Sequence, residues 1–76
     1  MERKAISYAI IRHLARHPGA KDSVRGVVQW CGVSLGVEPP EALVQQILEE
    51  LQAQGRIASA LLVDGTRIYH SPVSQD

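Results

Sequence analysis

Leu48-Glu49-Glu50-Leu51-Gln52-Ala53-Gln54-Gly55-Arg56-Ile57 is the stretch on which the fold turns. Leu48 and Leu51 complete an apolar face begun by Leu43, Val44 and Ile47, a spacing of three and four that puts all five on one side of a helix. Gly55 then stands where a left-handed residue ends such a helix at no steric cost. Upstream, Pro39-Pro40 predicts the start, because a ring with fixed φ suits a first helical position whose N–H has no helical partner. Downstream, Arg56 to Val63 changes to strand formers, Asp64-Gly65 gives a two-residue hairpin signal, and Thr66 to His70 brings the chain back. With Asp64 and Gly65 as the two loop residues, Val63 faces Thr66 and Leu61 faces Ile68.

Two more helices precede this unit. From Ala5 to about His17, Ile6, Ile10 and Leu14 recur every fourth position with Ile11 widening the stripe, while Arg12, His13 and Arg16 fall on the other side. Pro18-Gly19 ends that helix, since proline disfavours helical backbone in the residue before it. Asp22 or Ser23 is then expected to cap a second helix, whose Val24, Val27, Val28 and Cys31 follow at i, i+3, i+4 and i+7. Gly32 is the expected terminator, and Val33 to Val37, broken by Gly36, reads as a connection. Trp30 lies off the stripe and is expected to project toward the connection or the hairpin, as a core plug or as an exposed contact. The expected domain is 1–72, with 73–76 a loose tail.

The whole chain has 76 residues, so it forms one domain burying only roughly 60 to 65% of the surface its unfolded form exposes. That leaves no depth for a substrate cleft. Phe is absent, and a core of Ile, Leu, Val and Ala must suffice. Eight Lys plus Arg balance eight Asp plus Glu, which argues mildly against nonspecific binding of nucleic acid. Cys31 is the only cysteine, so no intramolecular disulfide forms, and a reducing, cytoplasmic setting is the expectation. The amphipathic N-terminus carries no continuous apolar run of signal-peptide or membrane-spanning kind.

Helix, helix, helix and hairpin, joined through the run quoted above, resembles the winged-helix superfamily over nearly the whole chain. In that superfamily such a run marks the exit of the recognition helix into the wing. The segment from His17-Pro18-Gly19 through Gln29-Trp30 is also similar to a stretch in small bacterial winged-helix proteins of unassigned role. Those carry a second bulky residue after the Trp, and Cys31-Gly32 departs from that. The resemblance implies an α+β fold, a three-helix winged helix-turn-helix with a C-terminal β-hairpin wing, and it implies binding of duplex DNA in transcription or a related process.

In DNA-binding members the third helix enters the major groove and the wing touches the backbone. Here the outward face of that helix holds Glu41, Gln45, Gln46, Glu49, Glu50 and Gln52, with no Lys or Arg. Gln45 and Gln46 suit adenine, but carboxylates beside phosphates weaken binding. Cations for DNA must come from elsewhere: Arg67 in the wing, Lys21 and Arg25 at the start of the second helix, and Arg12 and Arg16 on the first. Each of these taken singly reads first as an ordinary surface charge pairing with a nearby acid. Trp30, Leu62 and Tyr69 are the candidates for a protein interface, because Leu61-Leu62-Val63 puts apolar groups on both faces of a strand and a second copy or a partner would cover one of them. Cys31 with His13 or His70 lacks the elbow and anion hole of a nucleophile site, and His13, His17 and His70 are too scattered for a metal. No catalysis, cofactor, small-molecule substrate or membrane contact is expected. A protein-interaction or dimerisation module that does not bind DNA is the alternative, favoured by the neutral charge and the acidic third helix. DNA binding stands slightly ahead because the superfamily is so often used that way.

Overall fold

A computed structural model describes residues 3–72, and the expected tail at 73–76 lies outside them. In chain order the elements are α1 (Arg3–Arg16), β1 (Lys21–Asp22), α2 (Val24–Leu35), α3 (Glu41–Ala53), β2 (Ala58–Leu61) and β3 (Arg67–His70). The arrangement is the α+β layout of three helices and a small antiparallel sheet, with the C-terminal hairpin as the wing.

The helices form where apolar periodicity and end signals coincide. Ser23 caps α2, its Oγ accepting from the Gly26 N–H at 3.3 Å. At the end of α3, Gly55 takes φ +75°; its N–H donates to the Gln52 carbonyl and the Arg56 N–H reaches back to Leu51. That pair of bonds satisfies carbonyls the helix leaves open and turns the chain into the wing. Pro40 sits one position earlier than expected, at the cap rather than inside the first turn, and its carbonyl accepts from Leu43 and Val44.

Gly32 does not end α2, contrary to the sequence expectation. The helix runs on through Leu35 and stops at Gly36, where φ is +82° and the N–H returns to the Gly32 carbonyl at 2.9 Å. What position 32 requires is closeness: a Cβ there would lie 2.8 Å from Glu38 Cγ and 3.3 Å from Glu38 Cα. The connection into α3 folds back over the helix at that point.

The sheet has the order β1-β3-β2, and the sequence had left β1 unread. Its two residues pair Lys21 with His70 and Asp22 with Tyr69, lashing the α1–α2 connection to the last strand. The hairpin loop also differs from expectation. Ala60 faces Ile68 and Leu61 faces Arg67, one residue out of the predicted register, because the loop holds Val63, Asp64 and Gly65. Leu62 brackets it, accepting from the Gly65 N–H and donating to the Thr66 carbonyl, and Gly65 has φ +91°. This is a three-residue turn closed by a left-handed glycine.

Helices and sheet meet in one core. Ile6, Ile10 and Leu14 from α1 join Val27, Val28 and Cys31 from α2 and Val44, Ile47, Leu48 and Leu51 from α3, and Ile57 and Tyr69 close it from the wing side.

Candidate interaction surfaces

Most of the sequence candidates fall in two separate grooves. The first is an open cleft of about 640 Å³ where the start of α2, the outer face of α3 and β3 meet. Arg25, Gln45 and Arg67 come together there, with Glu49 and Gln52 beside them. The cations in and near it already have partners. Arg25 pairs with Glu41 at 3.2 Å, and Arg67 donates to Ser59 Oγ across the hairpin at 3.0 Å. On the same helix face Gln45 donates to Glu49, while Arg3 of α1 bonds both Gln46 and Glu50. Thus two of the three carboxylates on the outward face of α3, Glu41 and Glu50, are neutralised from other helices, at the expense of cations that DNA would require.

Lys21 is exposed on β1 and does not line this cleft. Tyr69, read as an interface candidate, is turned inward at 3% exposure, and the little of it that remains accessible lines this cleft. Burial and the Glu49 carboxylate raise its phenol pKa above the ordinary value. Leu62 does sit on the outside. With Leu61, 62% exposed, and the fully exposed Val63, it makes the outer part of the wing apolar. Asp64 at the turn accepts from the Thr66 N–H at 2.9 Å, which holds its carboxyl below the usual range.

The second groove runs between α1 and α2 and contains Arg12, Arg16 and Trp30. Trp30 points to neither the connection nor the hairpin. It stacks on His13, with ring centroids 3.9 Å apart and planes 12° from parallel, and His17 stands 4.9 Å beyond. A one-dimensional stripe could not show this, because the stacking partner is 17 residues away on another helix. The Trp30 Nε1 hydrogen is shut away and no acceptor among the described residues reaches it.

Burial lowers the His13 pKa below 6.5, against the pull of Asp22, whose Oδ2 lies 3.9 Å from Nε2, and with a smaller push from His17. A folded-state value below the unfolded one means that the unfolded chain takes up the proton first. The contribution to stability is therefore whole above 6.5 and is lost as pH falls from there toward the folded value. The urea midpoint is expected to drop between neutral and mildly acidic buffer, and His13→Gln should flatten that drop. An unchanged slope in the variant would assign the acid sensitivity elsewhere.

Cys31 is buried in the core, and desolvation pushes its thiol up to about 11, so it stays neutral and unreactive. Among the described residues, no three His, Cys, Asp or Glu side chains gather to hold a metal, and no helix is long and apolar enough to cross a membrane. No protein-family model, curated protein or solved structure matches the chain.

Proposed function

We propose that the chain is a non-catalytic binding module that recognises another protein through α3 and the wing. The observation that carries this reading is the pairing of Arg3 with Glu50 and of Arg25 with Glu41. Phosphate recognition draws its free energy from cations that can displace counterions, and on this face Arg3 and Arg25 are engaged by carboxylates, Arg67 is held by the Ser59 hydroxyl, and Glu49 faces the cleft. Leu61, Leu62 and Val63 beside it supply apolar area of the kind a protein partner buries. A second copy is one form such a partner takes, since β2 lies at the sheet edge. A dimer mass by light scattering at high concentration identifies that form, and a monomer mass excludes it.

DNA binding is the second reading, favoured by Arg67 and Gln45 lining one cleft, a cation suited to phosphate together with a residue that can pair with adenine. Labelled duplex DNA titrated at two salt concentrations separates the two. The expected result is no binding at low salt. Binding that weakens steeply with salt and vanishes in Arg67→Glu would overturn the protein-interaction reading. A photocrosslinking residue in place of Gln52 gives the complementary readout: protease-sensitive adducts support it, and nuclease-sensitive adducts oppose it.

A further inference from the structure

The groove between α1 and α2 carries a chemistry unlike that of the α3 face. Lys4, Tyr8, Arg12 and Arg16 follow one another at intervals of four on α1, so they form a single outward ridge about 18 Å long. Among the described residues none of these three cations has an ion-pair partner, in contrast to Arg3 and Arg25. Tyr8 is 65% exposed. Beside the ridge lies a groove of about 500 Å³ with Ala9, Trp30 and Leu35 in its lining and His13 and His17 along it. No carboxylate lines it, although Asp22 lies 3.9 Å from His13.

A strip of unpaired cations alongside an apolar floor is complementary to a helix with carboxylates along one edge and aliphatic side chains next to them. Tyr, Trp and Arg, the side-chain types that dominate binding hot spots, are all present at this one place. The ridge length matches about three turns of such a helix. We propose that the α1–α2 groove docks an acidic amphipathic helix of a partner protein, whose aliphatic side chains rest on Trp30, Leu35 and Ala9 while its carboxylates meet Arg12 and Arg16. This goes beyond the reading of α3 and the wing and does not depend on it, because the two surfaces share no lining residue.

Trp30 is the only tryptophan, so its emission reports directly on the groove. The probe is a synthetic helical peptide with leucines at i, i+3, i+4 and i+7 flanked by glutamates, with a second peptide in which every glutamate is lysine. The expected result is a saturable shift of Trp30 emission with the acidic peptide only, weakened about tenfold or more in Arg12→Glu/Arg16→Glu. Both arginines are solvent-exposed, and circular dichroism verifies that the double variant is folded. No shift with the acidic peptide, equal response to the basic one, or unchanged affinity in the double variant would overturn the proposal. So would a dimer of the free protein that Arg12→Glu/Arg16→Glu dissociates, or a single-stranded or duplex oligonucleotide that binds through the same two arginines more tightly than the peptide.

Discussion

Leu48→Ala is expected to cost about 2 to 5 kcal/mol of folding stability. Leu48 has no exposed surface and stands among side chains from all three helices in the shared core. Truncation removes the transfer free energy of three carbons and leaves a hole that a three-helix domain closes only in part. A chain of 76 residues has in total roughly 4 to 11 kcal/mol to lose. The variant should therefore show a strongly lowered urea midpoint, with an appreciable unfolded fraction before denaturant is added. Leu48→Met, which keeps the volume, is expected to stay within about 1.5 kcal/mol of the parent. Equal loss in both variants would mean that shape, and not the cavity, controls this position.

The second large effect is predicted for Tyr69→Ala, at about 3 to 5 kcal/mol by analogy with truncation of other buried aromatic rings. Tyr69 is the aromatic of the sheet that enters the core, and it is paired with Asp22 on one side and with Ser59 on the other. Losing it detaches the wing from the helices as well as opening a cavity. Amide exchange should accordingly rise in β2 and β3 more than in α1. Tyr69→Phe keeps the ring and is expected within about 1 kcal/mol of the parent. Uniform exchange across the helices and the sheet would show instead that the protein unfolds as one unit.

Both effects concern the scaffold, and the scaffold explains why the two surfaces differ. Packing α1 across α2 and α3 brings Arg3 to Gln46 and Glu50, more than 40 positions away, and spends that cation on the α3 face. Lys4, one residue on, belongs to the other ridge. The result is a charge-balanced α3 face beside an apolar wing, and an unbalanced cationic ridge beside a groove floored by Trp30. A neutral total charge conceals this separation.

The α+β class, the three helices, a cap at Asp22 or Ser23, the terminator at Gly55 and the existence of a hairpin around Asp64-Gly65 were all determined by the sequence alone. Each is written within a window of about four residues, through apolar period, a capping oxygen or a glycine that reaches positive φ. Other features needed the folded chain. Gly32 resembles a terminator until Glu38 is seen packed against it. β1 is two residues with no strand pattern, and it exists because β3 offers an edge. The hairpin register shifts by one because Leu62 closes a three-residue loop, and that shift decides which wing side chains share a face with Tyr69. Trp30 finds its place from a histidine on another helix. Pairings of this kind join residues far apart in the chain, and only the packing of one element on another brings them within range.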